Sequence, residues 1–362
     1  MRLSEGLRPK RCWLGVAGAA VLLAACGEPS PSTFTVSPTN TPSPSATALS
    51  PQNLKPMIHG LIDRDGPPPK TYVGPITAFV VNVTWTQLQP SPNGPITENN
   101  PIDQAILAAR ALGTGVGLKI RLLTGIDAPS WVKVLDGGPV SVYSTLDHVG
   151  GTIGRFWTTD FGHAYDDLWD KLAARYDAVP EVREITASRC MTVFAETFLR
   201  DTSDPTTVSN LLAAGFSATA DQTCIQQEIA DGAVWKQTRI GVAFNPYQEI
   251  LPGGVVRVDE GFTEGMMQYC RTELKAQCVL ENNSIRWPPM DSAYTEMYAA
   301  MQSLGAPISF QTAAGARIGS LTQTLTWAAS VGADAVELPQ GYQATPVAIL
   351  AGAAQALEVN PT

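Results

Sequence analysis

The chain is poor in the residues that hold metals. Its three histidines, His59, His148 and His163, have no ligand spacing, and there is no C-x-x-C, so neither a metal nor an organic cofactor is implied. Positive charge is the scarcer sign. The 24 Lys and Arg stand against 33 Asp and Glu, leaving a formal charge of −9, which argues against nucleic acid or an anionic membrane surface as partner. No block of like charge stands out. No glycine-rich phosphate loop follows the first apolar run of the folded region, which removes the usual signal of a dinucleotide fold. What remains is 44% hydrophobic and evenly mixed over 362 residues, enough for a large core and too apolar for disorder.

The N-terminus reads as a targeting signal. Arg2, Arg8, Lys10 and Arg11 precede a short apolar run, Leu14 to Ala25, which is too short for a comfortable membrane span. It leads into Leu23-Ala24-Ala25-Cys26-Gly27, which resembles the bacterial lipobox. That resemblance implies cleavage before Cys26 and lipidation of its thiol. The mature protein is then exported and held by its lipid on the outer face of the cytoplasmic membrane, with no other membrane contact. Residues 1–25 are the signal peptide. Residues 26–52, rich in Pro, Ser and Thr, form a disordered tether. Residues 53–362 form one folded domain.

Beyond Cys12 and Cys26, four cysteines remain: Cys190, Cys224, Cys270 and Cys278. An even number in an exported chain predicts disulfides. Three connectivities are open. Cys270–Cys278 would staple a helix end to the next strand, and Cys190–Cys224 would join a central strand to its following helix.

From residue 53, short apolar runs alternate with amphipathic stretches. The strand candidates are 57–62, 76–84, 116–123, 184–193, 238–244, 277–281, 307–311 and 334–338. Helical patterns cover 102–112, 164–177, 206–231, 262–275, 291–304, 319–331 and 345–357. This alternation predicts parallel βαβ units, and their number and span match an α/β fold of the (β/α)8 TIM-barrel type. Residues 63–75 hold no good helix. The loop 124–163 is long and rich in Gly and aromatics, and long loops in compact domains tend to be functional. The rival is an open, two-lobed sheet of the solute-binding lipoprotein kind, which would need two separate parallel runs.

Three glutamates fall at or just beyond strand ends: Glu196, Glu281 and Glu337. On a barrel all three would face one end, where barrel enzymes keep their chemistry. Glycoside hydrolysis needs two carboxyl groups, one protonated and one ionised. Glu196 is the candidate acid/base, with Glu337 or Glu281 as its partner. Glu337 is favoured because it ends an apolar strand just before Pro339. Arg121, Gln87, Asn245 and Gln311 are candidate sugar contacts, and Trp85, Trp131, Trp157 and Tyr342 are candidate stacking faces. Trp169, Trp235 and Trp327 lie in helical patterns and are assigned to packing.

The run from Val81 to Val132, with Trp85, Leu88-Gln89-Pro90, Ile102-Asp103, Arg121 and Ala128-Pro129-Ser130-Trp131, resembles the N-terminal half of clan A glycoside hydrolase barrels, particularly the family 42 β-galactosidase-like group. Phe156-Trp157-Thr158-Thr159-Asp160-Phe161 resembles the segment leading to strand four of that group. The resemblance covers most of 55–200. It implies a carbohydrate as substrate or ligand and an acid/base glutamate after strand four, which falls on Glu196. It departs in two places. Ala195 stands where the group usually has Asn, and Gln311 stands at the end of strand seven, where the group has its nucleophilic glutamate. A non-catalytic carbohydrate-binding lipoprotein on the same scaffold is the alternative.

Overall fold

The computed structural model describes residues 53–359, except 114 and 291. The predicted signal peptide, Cys26 and the tether lie outside the described residues. Eight parallel strands close into a barrel. They are β1 (Gly60–Asp63), β2 (Ile76–Thr84), β3 (Gly117–Leu123), β4 (Val182–Thr186), β5 (Arg239–Ala243), β6 (Cys278–Ile285), β7 (Ile308–Thr312) and β8 (Ala335–Leu338). Each pairs with its sequence neighbours, and β8 returns to pair with β1. The expected TIM barrel is therefore the fold, and the closed ring excludes the two-lobed solute-binding architecture.

Among the described residues, eight helices longer than one turn pack outside the ring: α1 (Pro101–Leu112), α2 (Thr159–Tyr176), α3 (Pro205–Ala213), α4 (Ala218–Asp231), α5 (Glu260–Glu273), α6 (Ala293–Leu304), α7 (Leu321–Ser330) and α8 (Val347–Glu358). The chain sets their ends locally. Asn100 caps α1 through its side chain, Asp103 reaches back to complete the capping box, and Pro101 takes the first helical position. The sequence pattern over 206–231 divides into α3 and α4. Gly215 sits at φ +85°, which ends α3, and the Ser217 hydroxyl accepts the Ala220 N–H to start α4. No α-helix follows β1, where only a 3-10 turn at Lys70–Tyr72 forms.

The strands alternate in what they face. Leu118, Ile120 and Leu122 of β3 belong to the large core between strands and helices. A small separate cluster of Ile58, Ile62, Ala78, Val80 and Ala335 fills one part of the barrel interior. Charged residues fill much of the rest, and that departs from the apolar interior usual in such barrels. Two antiparallel hairpins decorate the β3–α2 and β5–α5 connections: Val140–Ser144 with Val149–Ile153, and Tyr247–Ile250 with Val256–Asp259. The first accounts for the long loop seen in the sequence.

Two disulfides join elements close together in the chain. Cys190–Cys224 ties the segment after β4 to α4, and Cys270–Cys278 ties α5 to the start of β6. Among the described residues, no helix is long and apolar enough to cross a membrane.

Candidate active site

Two of the three predicted catalytic glutamates do not reach the surface. Glu281 on β6 and Glu337 on β8 are 1% and 0% exposed, inside the barrel. Both meet Lys119 of β3, whose Nζ lies 2.7 Å from Glu281 Oε2, 3.0 Å from Glu337 Oε1 and 3.0 Å from Glu184 Oε1 of β4. Arg121, two residues along β3, donates to both oxygens of Glu337 at 2.7 and 2.5 Å. The period of two along a strand places Lys119 and Arg121 on the same inner face. Gly241 of β5 makes room for this layer: a Cβ there would lie 1.7 Å from Glu281 Oε1.

Three carboxyls meet Lys119 and Arg121 in this layer, and burial favours the neutral form of Glu281. Desolvation, aided by the Glu184 and Glu337 charges, pushes Glu281 up to about 8 in spite of Lys119. Glu337 goes the other way. Burial alone would raise it, but the Arg121 and Lys119 charges and the Arg121 hydrogen bonds take it down to about 2. Neither group is placed to attack or protonate a sugar. The expectation that strand-end position would bring all three glutamates into one open site fails here, because Lys119 and Arg121 draw two of them into the ring.

Glu196 is placed differently, and also not as the strand pattern implied. The β4 strand ends at Thr186 rather than near 193. Residues 187–204 then form an irregular segment held by buried polar contacts. The Glu228 carboxylate of α4 accepts the N–H groups of Arg189 and Cys190 at 2.9 and 3.2 Å. Arg200, fully buried, donates to both Asp221 oxygens, at 2.8 and 2.5 Å, and to the carbonyls of Thr197 and Leu199. Gly125 lets the β3 loop approach this segment closely: a Cβ there would lie 1.8 Å from the Thr192 carbonyl oxygen. Together these contacts fix the backbone on both sides of Glu196.

An amide relay sets the hydrogen bonding of the Glu196 carboxyl. Asn282 donates to the Phe244 carbonyl at 2.9 Å and accepts from the Ser284 N–H and the Tyr298 hydroxyl. Those backbone partners fix which end of Asn282 is nitrogen. Its Nδ2 therefore donates to Asn245 Oδ1 at 3.1 Å, which also accepts from Tyr294. Asn245 is left to donate to Glu196 Oε2 at 2.8 Å. That leaves Oε1 to carry the acidic proton. Burial pushes Glu196 up to about 7; the Asn245 bond and Arg121 pull against this, while the Asp201 and Asp147 charges add to it. A carboxyl poised near neutral pH suits general acid–base work.

Glu196 stands at the waist of a two-lobed cleft. The lobes have volumes of about 340 and 330 Å³ and share Phe194, Glu196, Asn283 and Gln311. Asp201, Tyr294 and Arg286 line the first lobe, and Arg121 and Asp127 the second. The 140–153 hairpin leans over the rim, with Asp147 paired to Arg317 at 3.0 Å and Thr145 bonded to Ser203 at 2.6 Å.

Of the sugar contacts expected from sequence, Arg121, Asn245 and Gln311 line the cleft. The others do not. Trp85 is fully buried, edge-on to Trp131, Phe161 and Tyr165. Trp131 bonds the Gln89 carbonyl, and Trp157 packs between Phe156 and Phe216. Gln87 spends its amide oxygen on the Thr84 N–H, and buried Tyr342 donates to Asp63 at 2.6 Å. These five answer local packing and capping demands. Asp201, Arg286, Tyr294, Asp147 and Arg317 were not singled out from sequence. Tyr294 lies in the first turn of α6 and Arg317 in a 3-10 turn, and Asp147, Asp201 and Arg286 sit in connecting segments, so the available signal was their location after predicted strands. No group of His, Cys, Asp and Glu able to hold a metal occurs among the described residues.

No family model and no curated protein matches the chain in sequence. Solved structures do align with it. An endo-beta-1,4-glucanase from Xanthomonas axonopodis pv. citri is 13% identical over 77% of this chain and 86% of its own, with a TM-score of 0.45. Endo-glycoceramidase II from Rhodococcus sp. is 14% identical over 78% of this chain and 73% of its own, with a TM-score of 0.47. XacCel5A, solved in complex with cellopentaose, is 15% identical over 77% of this chain and 86% of its own, with a TM-score of 0.45. The assignment of the barrel rests on this chain's own strand order.

Proposed function

We propose that the chain is an exported glycoside hydrolase that binds carbohydrate in the two-lobed cleft, with Glu196 as general acid. The observation that carries this is Glu196 itself: a carboxyl raised to about 7, oriented by Asn245, at the junction of two sugar-sized lobes. Such a group can protonate the glycosidic oxygen lying between units in the two lobes. The second carboxylate is Asp201. It lines the same lobe, its charge contributes to the raised Glu196, and its Oδ2 accepts only the Thr192 hydroxyl at 2.7 Å. Phe194 and Tyr294, half-buried in the wall, offer apolar faces to sugar C–H groups.

A second reading, carbohydrate binding without cleavage, is favoured by one observation. The glutamates of β6 and β8 are consumed by Lys119 and Arg121, and β7 ends in Gln311. Turnover of aryl glycosides and cell-surface polysaccharides separates the two. Loss of turnover in both Glu196→Gln and Asp201→Asn, with Glu281→Gln still active, supports the hydrolase and its pair. Sugar binding with no turnover on any substrate establishes the binder. Anchoring through Cys26 is part of the proposal; both disulfides are compatible with an oxidising compartment. Cys26→Ala should release the protein from membranes, and retention in the membrane fraction would count against lipidation.

A further inference from the structure

Arg286, the residue after β6, is the unusual cation of this molecule. Among the described residues, every other arginine donates to or pairs with a protein oxygen. Arg286 instead directs Nη2 at the Met290 thioether at 2.7 Å, and sulfur is a weak acceptor. Its Nε is buried without a partner, and no Asp or Glu among the described residues lies within ion-pair distance. The guanidinium lines the first lobe together with Glu196 and Asp201. Across the same lobe, Arg317 already holds the carboxylate of Asp147 at 3.0 Å. The lobe thus presents two guanidiniums, one supplied with an oxyanion by the chain itself and one not.

We propose that Arg286 recognises an oxyanion on the saccharide, so that the ligand of this cleft is an acidic glycan bearing a uronic acid carboxylate or a sulfate ester. This rests on the reading of the cleft as a carbohydrate site. A planar fork of N–H donors suits a carboxylate or sulfate in two-point contact, and a neutral sugar leaves most of those donors unused. The acidic net charge of the protein, −9, opposes non-specific capture of polyanions. Discrimination therefore comes from this one guanidinium.

Calorimetry on the full chain tests it with matched probes. Uronate-containing oligosaccharides are compared with the same oligosaccharides after reduction of the carboxyl to the alcohol, and with sulfated but uronate-free oligosaccharides. The expected result is at least tenfold tighter binding of a charged probe than of its neutral counterpart, collapsing to within about twofold in Arg286→Gln and partly kept in Arg286→Lys. The preferred charged arm identifies carboxylate or sulfate. Equal or tighter binding of the neutral probe by the wild-type protein overturns the inference and leaves the carbohydrate reading standing. No binding of any saccharide overturns both. If Arg286→Gln fails to fold, the wild-type comparison decides, and a preference that survives in Arg286→Gln assigns the recognition to another group and overturns the role of Arg286.

Discussion

Glu337 in the barrel interior and Glu196 in the cleft are the same side chain in two electrostatic settings. Burial acts on both and would raise both. Glu337 has two cations within hydrogen-bonding distance and falls to about 2; Glu196 has an amide donor and two acidic neighbours and rises to about 7. The lesson is that closure of the ring surrounds a carboxyl with protein, while the cations on β3 decide whether it stays reactive. The interior layer is ion-paired around Lys119. The cleft keeps a carboxyl raised toward neutral pH and, among the described residues, one guanidinium with no protein oxygen partner.

The comparison can be broken at several points. The largest effect is expected from Glu196→Gln, which should lower turnover by about 10²–10⁴-fold without lowering the melting temperature; near-normal turnover would remove Glu196 from the chemistry. Lys119→Met should do the reverse. Removing the cation shared by three carboxyls should cost about 3–5 kcal/mol, a fall of about 10 °C in calorimetric melting temperature. Glu281→Gln, in the same layer, should cost no more than about 1 kcal/mol, because burial favours the neutral form of that carboxyl. A large loss there would show that Glu281 is ionised.

The two glutamates should also leave opposite marks on stability against pH. Glu337 is lowered in the fold, so its contribution is present above its unfolded value of about 4.5 and is lost as pH falls toward 2. Glu196 is raised, so it favours the fold while protonated and weakens it as pH rises from about 4.5 through about 7. Denaturant titrations of Glu196→Gln against wild type should show a stability difference that develops across that second window and then holds steady above it. If Glu196 is the acid, kcat/KM falls as pH rises through about 7. Asn245→Leu, which removes a bond that lowers the group, should move that limb to higher pH. The smallest effect is expected at the rim: Arg317→Gln breaks an exposed ion pair worth less than about 1 kcal/mol and should alter KM more than kcat.

Much of the fold was legible in the chain. Alternating β-branched runs and amphipathic stretches located all eight strands, and the absence of a helix after β1 was visible in the Pro- and Gly-rich 63–75. The four cysteines announced two disulfides because an even set in a chain read as exported has few other uses. The site was legible only in part. Glu196 and Asn245 follow predicted strands, Arg121 and Gln311 lie toward the ends of theirs, and all four line the cleft. Trp85 and Tyr342 also follow strands but are buried, since a ring that satisfies a neighbouring helix or an Asp63 carboxylate looks the same in one dimension as a ring facing a sugar.

The sequence by itself determined the barrel, because strand and helix periods are local properties of side chains and repeat along the chain. Only the tertiary structure decided which carboxyls line the cleft and which lie inside the ring. Lys119 and Glu337 are 218 residues apart in number, and only closure of the ring brings them to 3.0 Å. The proton affinity of a glutamate depends on such neighbours, and no local pattern carries that information.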